Sequence, residues 1–133
     1  MLTRKYIVTA ALSAFVIAGV AFTSPNPPEE GFKNLKVLPK KTTHDELEKI
    51  MHDFNRDLGV KCNFCHAPAK DGSRHPDFVS DEKPEKNVAR EMMRLTLKIN
   101  KQYFQNKHPM IGDSTLTITC FTCHHGTAHP EQK

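Results

Sequence analysis

A chain of 133 residues with 38% apolar side chains, 26% charged side chains and no Trp has room for one small folded domain and a modest core. Its formal charge of +4 drops to +2 when Arg4 and Lys5 of the amino terminus are set aside, which excludes the basic excess of a nucleic-acid binder.

In chain order, residues 1–23 read as a signal peptide or membrane anchor. Arg4 and Lys5 form a short positive region, and Tyr6 to Phe22 is a run of 17 almost wholly apolar or small residues without charge. That length sits at the short limit for a bilayer span, which normally takes roughly 20 residues. The best cleavage site, after Ala21 with Gly19 at minus three, is only fair, and no cysteine stands ready for a lipid anchor. Cleaved signal and retained anchor both stay open. Either one exports the chain, so a periplasmic protein is expected, soluble or held to the inner membrane. Residues 24–32, with Ser24-Pro25-Asn26-Pro27-Pro28-Glu29-Glu30, form an extended linker. Residues 33–128 are left for the folded domain and 129–133 for a tail.

Within that domain a first helix opens at Thr43, with Glu46 three residues on to complete a capping box. Leu47, Ile50, Met51, Phe54 and Leu58 recur at helical spacing on one face, and Gly59 suits the C-cap. Residues 67–83 read as a loop. A second helix starts near Pro84, carries Val88, Met92, Leu95, Ile99 and Tyr103 on one stripe, and is expected to end before His108-Pro109. Residues 109–119 form another loop, with Thr115 to Thr119 no more than an extended segment.

Each helix leads to the same motif. Cys62-Asn63-Phe64-Cys65-His66 and Cys120-Phe121-Thr122-Cys123-His124 contain all four cysteines of the chain. Cys-x-x-Cys-His is the attachment signature of c-type haem: two sulfurs form thioethers to the porphyrin vinyl groups and the adjacent imidazole binds iron. A four-cysteine zinc site, a redox dithiol and two disulfides are the alternatives, but none of them requires histidine after both pairs. Export of the chain agrees with covalent haem, because bacteria attach it outside the cytoplasm. Two haem c groups are therefore expected, bound by Cys62, Cys65 and His66 and by Cys120, Cys123 and His124. They would supply much of the apolar surface that so small a core lacks.

The second face of each iron decides between electron transfer and ligand chemistry. Met51 lies eleven residues before Cys62 on the first helix, and Met92 holds the matching place in the second unit. A methionine on an apolar stripe is more often core filler, so periodicity alone leaves the role of both open.

Several stretches together resemble the cytochrome subunit of photosynthetic reaction centres. They are Asn34-Leu35-Lys36-Val37-Leu38, the Met51 helix, Leu58-Gly59-Val60, Ala89-Arg90-Glu91-Met92-Met93 with Thr96 and Ile99-Asn100, and Thr119 to Gly126. In that family a methionine-bearing helix, a turn and a Cys-x-x-Cys-His helix hold each haem, and local twofold symmetry relates successive units. The resemblance implies that Met51 pairs with His66 and Met92 with His124. Met92 rather than Met93 keeps the register to Ile99-Asn100. The family protein is longer and carries four haems, usually on a lipidated amino terminus. Here Asn106 to Ser114 looks like an added loop, which brings His108 and Met110 into competition for the second iron.

Among the remaining histidines, His44, His52 and His75 are expected on the surface, His125 turned away from iron, and His129 in a disordered tail. The lysines, Lys40-Lys41 and Lys98-Lys101 among them, are expected on solvated faces. The fold class is mainly α, a small multihaem cytochrome c domain of two helix–turn–Cys-x-x-Cys-His-helix units behind a signal or anchor helix. The function expected is one-electron transfer between periplasmic or membrane-bound donor and acceptor proteins, not enzymatic catalysis. The rival is a dihaem enzyme, peroxidase-like or reducing nitrogen oxides, with one open haem site.

Overall fold

The computed structural model describes residues 31–130, so the expectations for the leader and for most of the linker lie outside the described residues. The described chain is mainly helical. Helix α1 spans His44–Leu58, α2 Cys62–Cys65, α3 Pro84–Tyr103 and α4 Cys120–His124. A two-residue antiparallel ladder pairs β1 (Ala67–Pro68) with β2 (Pro76–Asp77) and closes the 67–83 loop on itself.

The sequence dictates α1 closely. Thr43 and Glu46 form the expected capping box, with the Thr43 N–H donating to the Glu46 carboxylate at 2.9 Å. Gly59 ends the helix in the left-handed region (φ 64), where a side chain would be strained. Helix α3 opens at Pro84 and ends before His108-Pro109, both as expected, with its last residue at Tyr103. Gln105 turns left-handed (φ 54), and the Asn106 N–H then reaches back to the Asn100 carbonyl at 3.2 Å.

The buried apolar cluster is small: Leu38, Ile50, Met93 and Ile111, flanked by Leu35, Val37, Leu47, Met51, Phe54 and Leu97. It collects the apolar face of α1, one side of α3 and the segments before α1 and after α3. Helix α3 is amphipathic in an inverted sense. Lys86, Arg90, Met93 and Asn100 are its buried residues, whereas Val88, Met92, Leu95 and Tyr103 of the apolar stripe stand exposed.

Polar groups fix the inward side of α3. Asp81 accepts from Lys36 (2.5 Å), Asn34 (2.8 Å) and Arg90 (2.9 Å), while Lys86 donates to the Phe78 and Ser80 carbonyls at 2.8 and 2.6 Å. This network ties residues 34–36 and 78–81 to the start of α3. Lys86 corrects the expectation of solvated lysines, since its three donor directions are spent on two carbonyls and a carboxylate, which offsets the cost of burying it. Lys40, Lys41, Lys98 and Lys101 are exposed as expected.

Asn100 has no solvent exposure (0%) and clamps the incoming second motif. Its side-chain oxygen accepts from the Thr117 and Ile118 N–H groups at 2.8 and 3.1 Å, and its amide donates to the Ile118 carbonyl at 2.7 Å. These bonds replace the ladder that the 115–119 segment does not form.

Candidate haem sites

Both motifs fold as short helices, so the two cysteines of each lie one turn apart. In the first, the His66 N–H donates to the Cys62 carbonyl at 3.0 Å, and Lys83 holds the helix end by donating to the Asn63 carbonyl at 2.6 Å. Lys83 is the residue immediately before α3, and α2 packs against α3. In the second, Thr119 and Thr122 cap α4 reciprocally, and α4 packs against α1 as well as α3. Each motif helix thus rests on the long helix of the other half of the chain.

The ends of the halves also meet. The Gly126 N–H donates to the Asp57 carbonyl at 2.9 Å, and a Cβ on Gly59 would lie 2.1 Å from the Gly126 carbonyl oxygen. Only a glycine at 59 permits that approach.

The two imidazoles differ in their support. His124 Nδ1 lies 3.0 Å from the Thr127 carbonyl oxygen, a bond that places the proton on Nδ1 and leaves Nε2 as the free donor atom for a metal. His66 Nδ1 is buried without a hydrogen-bond partner, and its ring stands edge-on to Phe78 at 5.0 Å between centroids. Burial, reinforced by the Lys86 and Arg90 cations, pushes the His66 pKa down and keeps the ring neutral, the form that binds metal.

The four cysteines are free thiols, and among the described residues no three Cys, His, Asp or Glu side chains converge on a metal position. The two cysteine pairs therefore do not join into one zinc site. Burial pushes the thiols of Cys65 and Cys120 up, with Glu85 and Asp57 adding to it, which opposes the low-pKa thiolate of a redox dithiol. A cavity of about 460 Å³ opens beside Cys120, walled by Ile50, Phe54, Ile111, Leu116 and Phe121 on its apolar side and by Lys49, Asp53, Arg56, Asp57 and Asp113 on its charged side.

Met92 is 43% exposed while its neighbour Met93 is 7% exposed and part of the core. Core filling therefore describes Met93, and Met92 is available on the surface of α3. Met51 is half-buried and packs against the core cluster, so for it the packing role and a second role coexist. His108 and Met110 are both exposed on the loop after α3.

A porphyrin suits these surroundings. The uncovered apolar stripe of α3, the cavity at Cys120, the aromatic wall at His66 and the orphaned His66 Nδ1 all fit a large apolar group bound through thioethers and imidazole.

Over residues 7–133 the chain matches the family described as photosynthetic reaction centre cytochrome C subunit. It belongs to that family. It is 35% identical over 121 residues to cytochrome c-554 of Chloroflexus aurantiacus, a match covering 91% of this chain and 26% of that protein. It is 31% identical over 71 residues to the photosynthetic reaction center cytochrome c subunit of Rubrivivax gelatinosus, covering 53% of this chain and 16% of the relative. The chain thus spans about a quarter or less of the curated relatives it matches. No solved structure matches it. Membership of a reaction-centre cytochrome family implies covalently bound haem c.

His44, His52 and His75 are exposed as expected. His125 sets its ring edge-on to Phe121 at 5.5 Å between centroids. His129 departs from the expected disordered tail, because its ring lies 6.1 Å from Phe64 of the first motif. The sequence assigned no role to Asn100, Lys86, Arg90 or Phe78, although Arg90 and Asn100 stand among the residues that carry the family resemblance. The first three had a signal, since polar residues recur at helical spacing on the side of α3 away from the apolar stripe.

Proposed function

We propose that the chain is a dihaem c-type cytochrome that passes single electrons between periplasmic or membrane-bound redox proteins. The first haem is held by Cys62, Cys65, His66 and Met51, the second by Cys120, Cys123, His124 and Met92. The observation that carries this reading is the reciprocal packing of the two motif helices, α2 on α3 and α4 on α1, which suits two units related by local twofold symmetry. Exposure of Met92 beside buried Met93 supports the ligand assignment for the second haem.

Haem iron supplies a one-electron change of valence, and the protein supplies ligands, orientation and exclusion of water. His124 is fixed in tautomer by the Thr127 carbonyl; His66 is held neutral by burial and positioned by Phe78. Phe54, Phe121, Leu95 and Val88 offer apolar surface that a porphyrin would cover, and that covering would add to a buried cluster of only four side chains. A methionine ligand, Met51 or Met92, would raise the potential relative to ligation by histidine alone. The domain boundaries 33–128 belong to the same reading, with residues 1–23 as signal or anchor and 24–32 as linker.

Absorption spectroscopy of the purified protein tests it. A ferric methionine-sulfur charge-transfer band accounting for both haems, unchanged by cyanide, carbon monoxide or peroxide, is the expected result. A high-spin fraction that disappears on adding cyanide would instead assign one haem to the peroxidase-like or nitrogen-oxide-reducing alternative. Haem staining of a denaturing gel without signal would sink both readings.

A further inference from the structure

The two imidazoles proposed to bind iron through Nε2 differ at the other ring nitrogen. A ring whose Nδ1–H donates to a carbonyl becomes a stronger electron donor, which favours the ferric state and lowers the reduction potential of the iron it holds. His124 has such an acceptor. Its Nδ1 lies 3.0 Å from the Thr127 carbonyl oxygen, and the Thr127 N–H donates back to the His124 carbonyl at 2.9 Å, so the chain itself fixes the acceptor. His66 has none, since its Nδ1 is buried without a partner.

The buried charges differ in sign as well. Beside the first motif, Lys86 donates to the Phe78 carbonyl at 2.8 Å, and the Phe78 ring stands edge-on to His66 at 5.0 Å. Lys86 and Arg90 are both buried, and both cations oppose a proton on the His66 ring. Their shared carboxylate, Asp81, also holds Lys36, and Asp77 acts on His66 in the opposite sense, so three cations against two carboxylates leave this site one positive charge in excess. Beside the second motif the buried charge is Asp57. It lines the cavity at Cys120 with Asp53 and Asp113, against Lys49 and Arg56, whose side chains are mostly exposed, which leaves one negative charge in excess. Buried charges are screened least, so Lys86 and Arg90 dominate the first site and Asp57 the second. Each haem brings its own propionates, and these favour neither site.

We infer that the chain has a built-in direction: the orphaned His66 Nδ1 with buried Lys86 and Arg90 sets the first haem at the higher potential, and the Thr127 carbonyl with buried Asp57 sets the second at the lower. The inference rests on the dihaem reading above. A nearby cation favours the ferrous iron, which has gained an electron, and a carboxylate favours the ferric. Hydrogen bonding and charge are independent observations, and they agree in sign at both sites. One electron then passes from ferrous iron at the second motif to ferric iron at the first; no bond forms or breaks and no proton moves. Lys86, Arg90, Asp57 and Thr127 act through the imidazoles and the local field, as positioning residues.

Spectroelectrochemical titration of the full haem-loaded chain tests this. The parent should reduce in two resolved low-spin steps, with the ferrous-to-ferric ratio at the first haem at least about tenfold above that at the second, about 59 mV for one electron. Lys86→Gln keeps a donor for the Phe78 carbonyl but removes the charge, and should lower the upper step by about tenfold in that ratio while the lower step stays in place. Asp57→Asn should raise the lower step and leave the upper one. Lys86→Arg keeps the charge and should keep the parental steps, which separates the field from a packing role.

Three results would overturn the inference. The parent reduces in one unsplit wave, or Lys86→Gln moves the lower step or Asp57→Asn the upper one, or neither neutral variant moves any step. Should Lys86→Gln fail to hold haem, the parent and Asp57→Asn decide alone. A chain that carries one haem or none fails the dihaem reading before any potential is compared, so the two failures are distinguishable.

Discussion

Met92 and Met93 are adjacent and chemically identical, so burial alone separates their roles. Met93→Ala removes a core side chain and is expected to cost about 2–5 kcal/mol of stability while leaving the sulfur-to-iron band in place. Met92→Ala is expected to abolish that band at the second haem with a smaller loss from packing; the reverse pattern would move the ligand to Met93, and an unchanged band would move it to Met110. Asn100 is the residue on which the second motif hangs. Asn100→Ala strands the Thr117 and Ile118 N–H groups, each worth about 1–3 kcal/mol when buried unpaired, so denaturant unfolding of the haem-loaded protein should show a loss of about 3 kcal/mol or more. Asp81 makes a pH prediction. Hydrogen bonds from Lys36 first, then Asn34 and Arg90, hold its carboxyl far below the usual carboxylate range. It stays ionised in the folded chain where the unfolded chain already binds the proton, so its contribution is present above about pH 4 and is lost as pH falls below that. Asp81→Asn should therefore flatten the acid side of the stability profile, and a profile parallel to the parent's would contradict the network.

At the scale of elements, α1 was legible in full: capping box, apolar face and Gly59 stop are all local chemistry that sequence spacing exposes. Helix α3 was legible in position and start but not in orientation. Its apolar stripe reads as a core face by the usual rule, yet the protein buries the polar side and leaves the stripe uncovered. Hydrophobic periodicity reports which side avoids water, not whether protein or a bound group covers it. That α3 ends before His108-Pro109 was legible, but its stop at Tyr103 was not, because a left-handed Gln105 carries no sequence signal comparable to glycine or to Pro109. The meeting of Gly59 with Gly126 was also invisible, since it joins residues far apart in the chain. Both glycines have positive φ, but a Cβ at 126 comes no closer than 3.9 Å to its nearest neighbour, the Arg56 carbonyl oxygen, while one at 59 strikes backbone at 2.1 Å. Gly126→Ala is expected to cost about 1–2 kcal/mol, the left-handed penalty alone. Gly59→Ala should cost clearly more and reduce loading of the second haem, as read by thermal melts and haem content. Equal costs would mean that the two halves do not meet there.

For the whole molecule, five buried apolar residues, four of them in one cluster, are a small core for a hundred described residues, and Val88, Met92, Leu95 and Phe121 stay exposed. The proposed haem-attachment residues are read from spacing alone, whereas the packing of each motif helix on a long helix requires three dimensions. On the proposed reading, stability and redox chemistry would share one origin, because the group that carries the electron would also complete the interior. The central claim is two haems on one chain, each taking one electron. Potentiometric titration of the purified full-length protein, with haem absorbance recorded against electrons delivered per chain, tests it most directly. Uptake of two electrons per chain in steps that both carry the low-spin haem spectrum is the result expected; uptake of one electron, or none with haem character, would contradict it.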